Sequence, residues 1–132
     1  MSSTAQDSRL LGASDGPAFE IVNPGGASPI LLVCEHAANR VPERLANLGL
    51  EPGQLASHVG WDPGALALAE RLSSAFDAQL IAARFSRLVY DCNRPPDAPS
   101  AMPHDTEVCA VPGNMDLTHA ERQARVAEIY LP

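Results

Sequence analysis

The sequence predicts an α/β fold with a largely parallel sheet, and three observations carry that prediction. Ile30-Leu-Leu-Val33 is a run of apolar, mostly branched side chains introduced by Pro29. This is the pattern of a strand covered on both faces, as in a parallel sheet. Next, Ala65, Leu68, Ala69, Leu72, Ala75 and Phe76 recur at three- and four-residue steps, while Glu70, Arg71, Ser73 and Ser74 face the other way. That spacing predicts an amphipathic helix of about four turns packed on a sheet. Finally, Gln79-Leu-Ile-Ala-Ala83 follows as a second strand. Strand, helix and strand in that order imply a right-handed crossover and a parallel pair.

The remaining elements are weaker but readable in order. Residues 1–17 are rich in Ser, Ala, Gly and Asp and read as a flexible leader, with the domain proper over 18–132. Phe19-Glu-Ile-Val22 predicts a short edge strand before the Asn23-Pro-Gly-Gly26 turn. Pro42 to Leu48 predicts a short helix closed by Gly49, and Glu51 to Ser57 one more helical turn. Asp62 is a good N-cap for the long helix, with Pro63 at its first position. Arg87-Leu-Val-Tyr90 predicts a third strand. The proline-rich stretch Asp91–Pro112 reads as irregular, and a loop this long is usually functional or disordered. Thr118 with Glu121 matches a capping box for a last helix running through Ala127 to Tyr130. Val126, Ile129, Tyr130 and Leu131 then have no later element to cover them. With only three strands, the chain reads as the first part of a larger α/β domain.

Composition narrows the function. The 132 residues suffice for one core, and 45% are apolar but only 5% aromatic, so Ala, Leu and Val must build it. Nine basic against sixteen acidic residues give a net charge of −7, which argues against nucleic acid or an anionic membrane as partner. No run approaches the ~20 apolar residues of a membrane span, and the N-terminus lacks a signal-peptide pattern. Three cysteines, at positions 34, 92 and 109, do not make a disulfide framework. A cytoplasmic setting is the simplest expectation.

Polar groups cluster where the predicted strands end, the edge at which open α/β sheets bind ligands. Glu35 and His36 follow the first strand. They are two candidate ligands for a divalent metal, or a base and its orienting partner, or merely a polar strand cap. His58-Val-Gly-Trp-Asp62 leads into the long helix; Asp62 alone is explained as an N-cap. After Tyr90, Arg94 offers a planar fork for a carboxylate, Asn93 a further donor, and Asp91 a group to hold the arginine. A structural Asp–Arg pair across a tight turn explains them equally well. Val111-Pro-Gly-Asn114 reads, taken alone, as a turn. Together the two strand ends point to metal-assisted hydrolysis of a substrate bearing a carboxylate.

Four motifs, in order and spacing, carry a resemblance. Cys34-Glu-His-Ala-Ala-Asn39 with Val41-Pro, His58-Val-Gly-Trp-Asp-Pro-Gly-Ala65, Ser86-Arg-Leu-Val-Tyr-Asp-Cys-Asn-Arg94 and Val111-Pro-Gly-Asn114 resemble the N-formylglutamate amidohydrolase family. The resemblance implies a mixed sheet with helices on both faces, similar to the zinc carboxypeptidases, and release of formate from N-formyl-L-glutamate late in histidine breakdown. It implies Glu35 and His36 as the pair holding a divalent metal, zinc, and Glu35, His36 and Asp62 as catalytic residues. Asn93 and Arg94 become the clamp on the substrate's carboxylate, with His58 and Asn114 lining the same pocket. The family's later segment, with a His-Ser-Phe type motif and further acidic residues, has no counterpart in these 132 residues. A third metal ligand and the general base are expected either from that segment or, for the ligand, from His58 or Asp62, the nearest candidates in this sequence. The alternative reading is a non-catalytic carboxylate-binding module, or inactive fragment, that keeps the clamp. A thiol hydrolase using Cys34 with His36 stands third.

Overall fold

A computed structural model describes residues 9–132. Three strands form one small mixed sheet: β1 (Phe19–Val22), β2 (Leu31–Cys34) and β3 (Gln79–Ala83), in the order β1-β3-β2. β2 and β3 are parallel, with Val33 opposite Ile81, as the strand–helix–strand pattern predicts; β1 lies antiparallel on the other edge of β3.

The register divides the side chains into two rows. Val22, Leu80 and Leu32 align on one face, as do Ala82 and Cys34. This face packs on the Ala65–Ala69 side of helix α2 (Ala65–Phe76), making a small apolar cluster. The opposite row, Ile21, Ile81 and Val33, is largely open: Ile21 is 49% and Leu31 and Val33 are each 55% exposed. The expectation of a strand covered on both faces therefore fails for β2, which is an edge strand with one covered face. Its apolar run cannot reveal which neighbours the chain supplies.

The larger core lies beyond the sheet. Leu48, Leu50, Leu55, Phe85, Leu88, Val89, Tyr90, Met102, Val111 and Ile129 are buried together. Short helices α1 (Pro52–Ala56) and α3 (His119–Arg125) flank it, α3 starting with the expected Thr118–Glu121 capping box and continuing as a wider turn over Val126–Tyr130. Ile129 is buried and Tyr130 stacks on Tyr90 with ring centres 5.0 Å apart, so only Leu131 of that group is left exposed.

Four further expectations are corrected. The predicted third strand, Arg87–Tyr90, is a turn, because its carbonyls bond to side chains rather than to a neighbouring strand: Leu88 O accepts from Asn114 and Val89 O from Arg125. Glu43–Gly49 is a tight 3₁₀ segment whose last residues turn left-handed, with φ of 47°, 55° and 56° at Ala46, Asn47 and Leu48. Helix α2 starts at Ala65 behind Gly64, whose φ of 85° suits only glycine readily, so Asp62 is not its cap. The leader, expected to be loose to residue 17, is docked from residue 10. Leu10 and Asp15 are buried, the Leu10 and Leu11 amides donate to the Glu128 carboxylate, and Asp15 accepts from the Gly12 and Glu43 amides. Residues 1–8 of that leader lie outside the described residues.

Candidate active site

Three loop segments meet at the carboxyl end of β2, each tied to the next through the backbone. The Asp62 amide donates to His36 O at 3.0 Å, the Ser86 amide to Arg40 O, and the buried Ser86 hydroxyl to Gly60 O. Gly60 is required there: a Cβ would stand 2.1 Å from the Leu55 carbonyl oxygen. The turn carrying Arg87 and Asp91 is braced from beneath by Asn114 and Arg125. Arg125 is 1% exposed and donates to Val89 O, Gly113 O and Asn114 Oδ1. Burial pulls its pKa down to about 10, so it stays charged at neutral pH while bonded to carbonyls rather than to a carboxylate.

These braces present a closed ring of four charged or titratable side chains. His36 Nε2 meets Asp91 Oδ1 at 2.7 Å and Nδ1 meets Asp62 Oδ2 at 3.1 Å. Arg87 closes the ring, with Nη2 3.2 Å from Asp91 Oδ2 and Nη1 3.5 Å from Asp62 Oδ1. The Asp91 side chain is almost fully buried and the Asp62 side chain half exposed. Burial alone would raise the Asp91 carboxyl, but hydrogen bonds from His36 and the Asn93 amide, with the nearby His36 and Arg87 charges, hold it below the ordinary value. Arg87 was not among the expected site residues. Its spacing of four from Asp91 was the available signal, hidden by its assignment to a strand.

The expected site residues are only partly brought together. Glu35, His36 and Asp62 border one cleft of about 270 Å³. The Glu35 carboxylate has no hydrogen-bond partner among the described residues. His58, Arg87, Asp91 and Arg94 line an adjoining cavity of about 300 Å³; there His58 pairs with Glu107, not with His36. The Arg94 guanidinium also has no protein partner among the described residues, and only the Arg94 backbone is engaged, by the Tyr90 hydroxyl and Asp91 O. Asn93 is exposed beside it. Asn114 is a correction: it is 5% exposed, and its amide is consumed by Leu88 O, Pro103 O and Arg125. It supports the site from below and leaves no group for substrate. Cys34 is buried against α2, with burial pushing its thiol pKa up, and both His36 nitrogens are engaged by carboxylates. A thiolate nucleophile is thus disfavoured.

The donor chemistry fits a divalent metal in part. A carboxylate on one nitrogen of an imidazole is the usual support for a metal-binding histidine, and Asp91 supplies it. The 3.1 Å between His36 Nδ1 and Asp62 Oδ2 is close to the ~3.3 Å between adjacent donors of a tetrahedral zinc. Among the described residues, however, no three His, Cys, Asp or Glu side chains converge to hold an ion. The pair nearest to metal geometry is therefore His36 with Asp62, Glu35 standing at the cleft's border.

Comparison with known proteins agrees with the motifs. The family model for N-formylglutamate amidohydrolase matches residues 28–132. No curated protein matches the chain at a significant level. Among solved structures, the gene product Atu2144 from Agrobacterium tumefaciens superposes with a TM-score of 0.91 at 50% identity, over 95% of this chain and 50% of that one. The chain thus spans half the length of that relative.

Proposed function

The chain belongs to the N-formylglutamate amidohydrolase family, and from that premise we propose that it carries part of a site hydrolysing the amide of an N-acylated acidic amino acid such as N-formylglutamate. The family's members are hydrolases of linear amide C–N bonds. One observation carries the reading for this chain: an Arg94 guanidinium with no partner among the described residues lines the cavity that Asp91 and Arg87 of the His36 ring also line. A planar fork without a protein partner suits a carboxylate, which it binds through two parallel hydrogen bonds. Asn93 adds a donor beside it.

In this reading Arg94 and Asn93 hold the substrate's carboxylate so that its amide reaches the cleft of Glu35, His36 and Asp62. Asp91 fixes the orientation of the His36 imidazole, and Arg87 balances the charge of the two aspartates. Water adds to the acyl carbon and the C–N bond breaks; both protons of that water pass to the nitrogen, which leaves as an ammonium, while formate keeps the water oxygen. Glu35, whose carboxylate has no hydrogen-bond partner among the described residues, is the group placed to move these protons. His36 and Asp62, with Glu35, would hold a divalent metal, zinc by donor chemistry; when bound it supplies Lewis-acid polarisation and a more acidic water. The mixed sheet supports the likeness to zinc carboxypeptidases. In this reading the substrate is a small carboxylate; the family likeness suggests a role in histidine breakdown, the unpaired pattern of three cysteines a cytoplasmic setting, and the net charge of −7 argues against nucleic acid. No helix among the described residues is long and apolar enough to cross a membrane.

Formate release from N-formylglutamate with added Zn²⁺, together with calorimetry of glutamate binding, tests the proposal. Arg94→Lys should weaken binding by about tenfold or more. Binding without turnover favours the carboxylate-binding module, for which the lack of three converging donors among the described residues speaks. Undiminished affinity in Arg94→Lys would remove the clamp.

A further inference from the structure

A cavity of about 360 Å³ lies between Arg9, the Glu43–Gly49 segment and helix α3, and it shares no lining residue with the cleft of Glu35 or the cavity of Arg94. Three arginines line it, Arg9, Arg44 and Arg125, against one carboxylate, Glu121. Leu45, Leu117 and Ala124 add an apolar wall. Arg9 and Arg44 are exposed, and the Arg44 guanidinium donates to the Arg9 carbonyl, tying the two sides of the rim together.

Arg125 differs from both in being buried. It is charged at neutral pH, and a buried charge normally has an opposite charge beside it. Its three acceptors, Val89 O, Gly113 O and Asn114 Oδ1, are all neutral. No carboxylate makes an ion pair with it among the described residues. Glu121, one helical turn earlier, is exposed and favours the charged guanidinium only through space. Its Oε2 already accepts from the Thr118 amide and hydroxyl. A guanidinium has five N–H donors. Here Nη1 makes two bonds and Nη2 one, so Nε–H and one Nη2 N–H have no acceptor among the described residues. Donors are thus left for an oxyanion, the partner that a planar guanidinium holds most strongly.

We propose that this cavity binds a small organic oxyanion, its carboxylate or phosphate ester on Arg125 and the two rim arginines, its short apolar body on Leu45, Leu117 and Ala124. The bound anion would supply the countercharge that Arg125 lacks among the described residues. It would also touch the brace of the Arg87–Tyr90 turn, because the same guanidinium holds Val89 O and Asn114. The site stands on burial, charge and cavity shape, independently of the hydrolytic reading.

Calorimetry of residues 1–132 with hexanoate and, separately, butyl phosphate tests this, in buffer free of other carboxylates and phosphates. The Arg94→Ala variant, altered only at an exposed side chain, takes the substrate clamp out of the measurement. At least one of the two anions should bind it at one equivalent and raise its thermal midpoint, and the tighter one identifies the head group. The Arg125 Nε–H resonance should move with the same midpoint as the calorimetric titration. Ala120 lines the cavity from an exposed helical position. Adding Ala120→Glu should weaken binding by about tenfold or more, while the neutral Ala120→Gln stays within about threefold. Absence of binding by both anions, an Arg125 resonance unmoved at saturation, or equal affinity in the Glu and Gln variants would overturn the proposal. Inorganic phosphate binding as tightly as the organic anions would also overturn it, since the apolar wall would then have no role. Arg94 is absent throughout, so failure here is distinct from failure of the hydrolytic reading.

Discussion

His36 is defined by what its two ring nitrogens meet, Asp91 on one side and Asp62 on the other. The two aspartates differ in burial, and that difference has a consequence in acid. Asp91 titrates below the ordinary value of 3.8 in the folded chain. It therefore contributes stability that is complete above that value and is lost as the pH falls through the lower, folded-state one. Asp91→Asn should remove this part of the acid limb. In thermal melts from about pH 6 down to about pH 2, wild type should lose more stability than the variant; parallel curves would mean that the bonded carboxylate is not linked to folding. Asp91 was legible in the sequence as a polar residue after a predicted strand, and Asp62 as a cap leading into the long helix. Their common partner was not, because 26 and 55 residues separate them from His36 and only the packing of three loops closes that distance.

At the scale of elements, the turns are where local sequence and observed conformation part. Ala46 and Leu48 adopt left-handed dihedrals that cost an L-residue about 1–2 kcal/mol each. They persist because Leu48 is fully buried and Gly113 passes close against its backbone. Ala46 is exposed, so its strain has no packing return. Ala46→Gly should stabilise the chain by roughly 0.5–1 kcal/mol, the relief of strain exceeding glycine's entropy cost. Chemical denaturation would detect this as a higher midpoint at unchanged slope, and a lower midpoint would show that the Ala46 methyl contributes to packing. Helix α2, β3 and the Thr118 cap were legible because their signals are local. The Arg87–Tyr90 turn was not: its apolar residues face a core, as a strand's would, but its carbonyls are taken by Asn114 and Arg125 from far along the chain.

For the whole molecule, the balance between a built site and an open sheet predicts weak metal binding. His36 and Asp62 supply two donors at metal-like separation, and no third converges among the described residues. Two donors without a preformed third give little affinity. After extensive dialysis residues 1–132 should retain well below one equivalent of zinc, and His36→Ala should abolish what binding is measured by titration. Stoichiometric zinc in the dialysed wild type would show that the site closes within this chain.

The sequence by itself determined the α/β class, the parallel β2–β3 pair, the crossover helix and the four family motifs, because each rests on periodicity or on residue types a few positions apart. It also marked Glu35, His36, Asp62 and Arg94 as chemistry-bearing. Only the tertiary structure decided that His36 pairs with Asp62 and Asp91, that Arg87 closes their ring, that Asn114 is a brace, and that one face of β2 stays bare. Those outcomes depend on which distant segments reach the same place. Burial, hydrogen-bond competition and the reach of each loop settle that, and a local pattern carries none of them.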